Sequence, residues 1–334
     1  MKNEPSVSFV IPTFNVEKYI SKVLESIKKQ RYPLGKMEII IVDDNSTDKT
    51  LERIAPFRNL FSHFKIIVKN RSQSKGAAVS TNIGIKESKR ELIALVDGDA
   101  VLASNWIQEL IAQFEDPKVG MAAGAIKTAN PENLWAAFAG RELEDRYAAI
   151  KEVEVDHVST CNTIYRRELF NKVGMFDESL FYGYDADMSY RVREKGYKIL
   201  LIKNTYCLHY WRETFKDYLN QLHHTGYARL RVLEKFPDTK VGGKVSGWKL
   251  IIQTPLTLGF LLVLPFAFFN KSLFYLSVTL FAGILVVQFP QTIRIIKKHR
   301  DFRFIFFPPI LVLRNLVWVW VFFKYNIDKV SAVR

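Results

Sequence analysis

Short runs of β-branched and aliphatic residues punctuate the first hundred positions: Val7 to Ile11, Glu38 to Val42, Phe64 to Val68 and Leu92 to Val96. Each has the length of a strand and is bounded by polar or turn-forming residues. Between the first two, Val16, Tyr19, Ile20, Val23, Leu24 and Ile27 recur at helical spacing behind Asn15, which reads as a helix N-cap. Strand, helix and strand repeated at this interval predict right-handed crossovers and a mostly parallel α/β sheet flanked by helices. Ligands of such open sheets sit beyond the carboxyl ends of the strands, so the polar residues found there become the functional candidates.

The pattern changes near residue 245, after which the chain is almost continuously apolar. Leu250 to Phe269 and Ser272 to Phe289 are each close to the roughly 20 residues a helix needs to cross a bilayer. Only Asn270 and Lys271 separate them, which predicts a tight helical hairpin. A third stretch, Ile305 to Phe323, carries Pro308, Pro309 and Arg314 within it. Residues 211–249, where Phe215, Tyr218, Leu219, Leu222, Tyr227, Leu230 and Leu233 mingle with His, Lys and Arg, suit a helix lying in the membrane interface. The expected organisation is a catalytic domain over 1–210, interfacial linker helices over 211–249 and a transmembrane region over 250–334, with spans near 250–269, 272–289 and 305–323.

Charge refines this picture. The formal net charge is +14, but the basic residues concentrate beside the apolar segments, at Arg294, Lys297, Lys298, Arg300 and Arg303 and ahead of the first span. Such clusters face anionic lipid rather than nucleic acid. They also place the 294–303 loop and the first domain in the cytoplasm, with the Asn270-Lys271 turn outside. The polar amino terminus leads into a short run ended by Pro12, unlike a secretory signal. Cys161 and Cys207 have no metal-ligand spacing and form no disulfide framework, in keeping with a reducing compartment.

Three strand ends carry candidate chemistry. The first runs into Pro12-Thr13-Phe14-Asn15-Val16-Glu17, the second into Asp43-Asp44-Asn45-Ser46-Thr47-Asp48 and the fourth into Asp97-Gly98-Asp99. Turns and helix caps account for much of this polarity, but capping does not require a second carboxylate in each pair. Asp97 and Asp99, with waters and substrate phosphate oxygens, can satisfy Mg²⁺ or Mn²⁺. Asp185-Ala186-Asp187, behind the aromatic loop Phe181-Tyr182-Gly183-Tyr184, forms a second acidic cluster.

Taken in order, Pro12-Thr13-Phe14-Asn15, Val42 to Asp48, Lys75-Gly76 to Ile85, Asp97-Gly98-Asp99, Asn162 to Phe170 and Asp185 to Arg191 resemble the signature of family 2 glycosyltransferases with the GT-A fold. The resemblance covers roughly residues 5–230. It implies that Thr13, Glu17 and Asp44, with Asp43 beside them, contact the base and ribose of a nucleotide sugar, UDP-linked in preference to GDP-linked. Lys75, Asn162 and Asp187 are further implied substrate-binding positions. Asp97 and Asp99 match the metal-binding Asp-x-Asp element, and Asp185 falls on the catalytic base of a Glu-Asp motif whose glutamate is here Tyr184. His209 resembles a histidine that approaches the metal or diphosphate in some relatives. Processive synthases carry Gln-x-x-Arg-Trp, of which only Gln221 is kept, so polymerisation through a channel is not expected.

The resulting expectation is a membrane-anchored, metal-dependent, inverting glycosyltransferase acting on a polyprenyl-linked acceptor at the cytoplasmic face. A polysaccharide-chain acceptor is the alternative within the class, and a nucleotide-binding membrane scaffold without catalysis is the alternative outside it.

Overall fold

The computed structural model describes residues 4–69, 76–239, 245 and 248–332. Two compact units emerge, one formed by residues up to Ala129 together with Ile150–Tyr210, the other by Asn130–Ala149 together with Trp211 onward. The second unit thus recruits a helix from within the stretch expected to be wholly catalytic.

The first unit is built on one eight-stranded sheet with β1 (Val7–Thr13), β2 (Met37–Asp43), β3 (Phe64–Val68), β4 (Leu92–Val96), β5 (Ala100–Leu102), β6 (Val119–Thr128), β7 (Asn162–Arg166) and β8 (Lys198–His209), in the order β3-β2-β1-β4-β7-β6-β8-β5. The four strands read from the sequence are the parallel half, β2 and β4 flanking β1. Beyond β4 the sheet is mixed: β7 runs antiparallel to β4 and β6, while β6 and β8 are parallel. Because β1 is flanked by the strands that follow it on either side, the chain reverses direction across the sheet there, leaving a crevice at the carboxyl ends of β1, β2 and β4.

Helices α1 (Ile20–Lys28), α2 (Thr50–Ile54), α3 (Ala77–Glu87) and α4 (Trp106–Ile111) belong to this unit. The first starts later than its apolar spacing suggests. Asn15 is not its N-cap: it adopts a left-handed φ of 52°, and its side chain accepts a hydrogen bond from the Thr47 amide. Tyr19 occupies the cap position and its side chain does not cap the helix. The competing attraction is the neighbouring loop, whose exposed amide Asn15 satisfies.

α3 lies against β1 so closely that a Cβ on Gly84 would fall 2.3 Å from Val10 Cγ1. The buried Asn82 of the same helix donates to the Phe176 carbonyl and the Glu178 carboxylate and accepts from the Phe176 amide, pinning the segment that leads to the Phe181–Gly183 loop. That loop precedes α7 (Tyr184–Glu194), and α3 therefore anchors both the sheet and the approach to Asp185.

The second unit comprises α5 (Leu134–Ala149), α8 (Phe215–Lys235), α9 (Trp248–Val263), α10 (Lys271–His299) and α11 (Phe307–Ala332); α6 (Leu169–Val173) and α7 (Tyr184–Glu194) return to the first. The expected hairpin is present, its turn closed by the Asn270 side chain accepting from the Ser272 and Leu273 amides. α10 continues through Pro290 well past Phe289. Three helices of this unit are long and apolar enough to cross a membrane, within Lys249–Phe266, Lys271–His299 and Phe302–Ser331. Their packing against α5 combines Phe138, Phe304 and Phe307 with a buried Glu142–Arg314 ion pair, whose guanidinium also donates to Gln253. Arg314 is therefore satisfied within the bundle rather than left bare in an apolar helix.

The close approach of α3 to β1 gives a stability test. Gly84→Ala should cost about 1–3 kcal/mol through overpacking, and the penalty should shrink when Val10→Ala removes the opposing methyls. Denaturant titration of the four members of that double-mutant cycle reads the coupling.

Candidate active site

Paired registers set the positions of the first two loops. Thr13 and Asp43 are the last residues of adjacent parallel strands and face each other in the ladder. Asp43 is completely buried, accepting from Thr13 Oγ1 at 3.0 Å, from the Ser46 amide at 2.8 Å and from Ser46 Oγ at 2.6 Å. A buried carboxylate surrounded by donors fixes the turn that carries its neighbour. That neighbour, Asp44, accepts from the Gly76 amide at 2.9 Å and pairs with the buried Lys69 ammonium at 2.8 Å.

The two loops are laced together. Asn15 donates its amide to Ser46 Oγ, Glu17 donates its amide to Asp48, and the Glu17 carboxylate accepts from the Lys49 amide at 2.8 Å. Glu17 and Asp44 are partly exposed, whereas Thr13 and Asp43 lie beneath them. Lys75 falls outside the described residues.

Gly98 explains how the acidic pair reaches this edge. A Cβ at that position would lie 3.1 Å from Val16 Cγ2 and 3.3 Å from Thr13 Cγ2, so the chain between Asp97 and Asp99 passes tightly against the first loop. Past it, β5 pairs antiparallel with β8, with Ala100 opposite His209. This register brings His209 Nε2 to 3.4 Å from Asp99 Oδ1. One ligand atom from each of Asp97, Asp99 and His209 lies within 4.8 Å of the others. Two carboxylates and an imidazole suit Mn²⁺ or Mg²⁺ better than a thiophilic ion. Tyr210, stacked on Tyr19 at 4.3 Å and accepting from Lys22 Nζ at 2.9 Å, fastens this end of β8 to α1.

Asp185 occupies the first turn of α7, behind Gly183 at a left-handed φ of 77°. Burial raises its pKa, opposed by the Ala186 amide that donates to it at 2.8 Å and by the nearby His157 imidazole. Neither Arg191 nor Arg193 is its ion-pair partner. Arg191 instead grips Asp187 at 2.8 Å and donates to the Val173 and Met175 carbonyls. Tyr184, the residue in place of the motif's glutamate, lies in the field of both Asp97 and Asp185. The Tyr184 and Tyr165 hydroxyls have pKa values raised above the usual phenol range, chiefly by burial, and remain protonated.

Four residues implied as substrate-binding are buried: Thr13 and Asp43 beneath the first two loops, and Asp187 and Asn162 elsewhere. Asp187 is fully buried in its pairing with Arg191. Asn162 donates to the Ala125 carbonyl and Cys207 Sγ and accepts from the Gly124 amide, bridging three strands. Sequence reasoning also missed Lys69, Asn82, His157 and Tyr165. Asn82 lay inside a quoted motif; no local signal marks the other three, because their partners are distant in the chain.

Comparison with known proteins agrees with this geometry. The Glycosyl transferase family 2 model matches residues 8–174, and the Glycosyl transferase family group 2 model matches residues 92–323. A dolichyl N-acetyl-alpha-D-glucosaminyl phosphate 3-beta-D-2,3-diacetamido-2,3-dideoxy-beta-D-glucuronosyltransferase of Methanococcus voltae is 26% identical over 333 residues, covering 95% of this chain and 96% of its own. Glycosyltransferase AglE of Haloferax volcanii is 25% identical over 235 residues, covering 68% of this chain and 74% of its own. Among solved structures, the mannosyltransferase PcManGT from Pyrobaculum calidifontis, in complex with GDP-Man and Mn²⁺, superposes with a TM-score of 0.61 at 16% identity, over 98% of this chain and 89% of that one. The matched span, the mixed sheet and the acidic cluster at its edge identify the chain as a transferase that belongs to the family 2 glycosyltransferases and has their GT-A fold.

Proposed function

We propose that this chain moves a sugar from a nucleotide-diphospho-sugar, UDP-linked in preference to GDP-linked, to a polyprenyl-linked acceptor at the cytoplasmic face of a membrane. The observation that carries this reading is the Asp97, Asp99 and His209 cluster at the sheet edge, with Asp97 and Asp185 both acting electrostatically on Tyr184. The lipid-linked acceptor is supported by the apolar helices and by the Methanococcus voltae relative, whose name specifies a dolichyl N-acetyl-alpha-D-glucosaminyl phosphate. The cytoplasmic orientation, with α9 and α10 crossing, rests on the basic residues Arg294, Lys297, Lys298 and Arg300 at the end of α10.

Each residue then has a distinct task. The laced loops seat the nucleoside, Glu17 and Asp44 supplying carboxylates to it while Thr13 and Asp43 hold those loops from below. Asp97, Asp99 and His209 would hold Mg²⁺ or Mn²⁺, a Lewis acid that when bound neutralises charge on the departing diphosphate. Asp185 accepts the acceptor's hydroxyl proton as that oxygen bonds to the anomeric carbon and the bond from that carbon to the diphosphate oxygen breaks. A single base opposite the leaving group gives inversion at that carbon.

A base with a raised pKa is well suited to this work, since it holds the proton more firmly than an exposed carboxylate does. Tyr184 stays neutral and adds no second negative charge beside Asp185. The Glu-Asp pair of the motif would place two carboxylates there.

Three measurements test the proposal. Asp185→Asn should lower kcat by about 10²- to 10⁴-fold while leaving nucleotide affinity nearly unchanged; unaltered turnover would remove Asp185 as the base. Calorimetric titration with UDP and GDP should show Mn²⁺-dependent binding of one nucleotide, weakened roughly tenfold or more, ~1.4 kcal/mol, by Asp97→Ala with Asp99→Ala.

The third test is pH dependence. The base must be ionised, and burial raises its pKa, so activity should fall on acidification at a pH above the usual carboxylate range. His157 favours the charged form, so His157→Ala should move that acidic limb to still higher pH. A limb that stays fixed in this variant would show that Asp185 does not govern it.

A further inference from the structure

α11 is long and apolar enough to span a bilayer by itself, yet its neighbour is not. α8 runs beside its second half in parallel. The Trp318 indole donates to the Leu222 carbonyl at 3.1 Å, and Gly226 lies so near that an added Cβ would be 2.8 Å from Trp318 Cδ1. Farther along, the Tyr227 and Tyr325 rings meet at 5.0 Å. Finally the Glu234 carboxylate accepts from the Tyr325 hydroxyl at 2.6 Å and from the Lys329 ammonium.

The contacts advance together along both helices, from Leu222 with Trp318 to Glu234 with Lys329, so the two share their depth over about three turns. α8 carries Lys216, Asp217, Arg229, Arg231, Glu234 and Lys235 and two adjacent histidines. A helix of that composition does not enter the hydrocarbon core. Whatever depth α8 takes, the second half of α11 takes too.

The outer face of α11 fits the same depth. Leu316, Trp320, Phe323, Ile327 and Val330 are exposed and form one stripe, repeating every three or four residues. The stripe continues past Lys324 and Asp328, which pair with each other at 2.8 Å. An apolar stripe running alongside charges describes a helix lying in the interface rather than a span. α10, by contrast, has no charged residue between Lys271 and Arg294. Arg229, Arg231, Lys235, Lys324 and Lys329 supply basic charge near the headgroups.

From this packing we infer that α8 and α11 form a two-helix platform that lies in the interfacial zone of one leaflet, leaving α9 and α10 as the only crossing pair among the described helices. The third apolar segment then does not span, and the end of the chain emerges on the same side as α8 and the residues near Lys298. This rests on the reading that the α9–α10 hairpin crosses the membrane.

The test is labelling of single-cysteine variants of the full chain in sealed cells with a membrane-impermeant maleimide, before and after permeabilisation. Cys161 and Cys207 are buried and give little background. Lys271→Cys marks the hairpin turn, Lys298→Cys the basic end of α10 and Ser331→Cys the end of α11. The expected result is labelling of Lys271→Cys in sealed cells, with labelling of the other two lost until the membrane is opened. Labelling of Ser331→Cys together with Lys271→Cys would overturn the inference, because α11 would then cross. Labelling of Lys298→Cys and Ser331→Cys together, with Lys271→Cys protected, would support the platform and reverse only the proposed cytoplasmic orientation. If Lys271→Cys and Lys298→Cys fall on one side, the hairpin does not cross and the inference fails with it.

Discussion

Charge crowding at the carboxyl edge of β4 governs the arrangement around it. Asp97 and Asp99 flank Gly98, which passes so tightly against Val16 and Thr13 that an added Cβ would force those side chains to give way. Two carboxylates whose oxygens lie within 4.8 Å repel by roughly 3–4 kcal/mol at an effective dielectric of about 20. The fold bears this cost through rigid neighbours: the Asp97 amide is tied to the Cys161 carbonyl, and the Tyr210 amide to the Asp99 carbonyl. A position that is electrostatically unfavourable by itself becomes favourable for a cation, and His209, delivered by the β5–β8 register, adds a third donor without adding negative charge.

The same economy of charge separates the acidic residues by role. Asp43 and Asp187 are fully buried, the first among donors from Thr13 and Ser46 and the second gripped at Oδ2 by Arg191. Neither has a lone pair directed to solvent, and both act by fixing backbone, the β2 turn in one case and the segment before α7 in the other. Asp44, Glu17 and Asp185 retain partial exposure. In a run such as Asp43-Asp44 or Asp185-Ala186-Asp187, one carboxylate is the scaffold for its neighbour, and chain order does not say which.

That distinction marks how far the residues could be read in advance. The parallel half of the sheet was legible because β1, β2, β3 and β4 are dense in Val, Ile, Leu and Phe and are separated by helical periodicity. β6 was not: Val119-Gly-Met-Ala-Ala-Gly-Ala-Ile is rich in small residues, which pack against Trp106 and Tyr197 but carry little strand propensity. Asn162 and Asp187 stand at motif positions, and the bonds they make across β6, β7 and β8 and to Arg191 are visible only in the folded chain. The assignment of α5 to the apolar unit was equally hidden, because its buried residues include Glu142 and Asp145, whose partners Arg314 and Arg294 are distant in the chain, and Glu144, paired with Arg141 of the same helix.

Tyr184 shows most directly how local substitution and global electrostatics meet. Beside an acidic cluster, a further glutamate would add a fourth negative charge to the space between Asp97 and Asp185, and each carboxylate there would become harder to ionise. A tyrosine of raised pKa keeps the volume without the charge, and its ring packs edge-on against Phe176 at 5.7 Å, in the segment held by Asn82. The exchange therefore gives up one carboxylate and gains a mechanical link from α3 to the first turn of α7. Burial alone then sets the basicity of Asp185, moderated by the Ala186 amide and His157, so a single carboxylate can serve as base without a second acid to tune it.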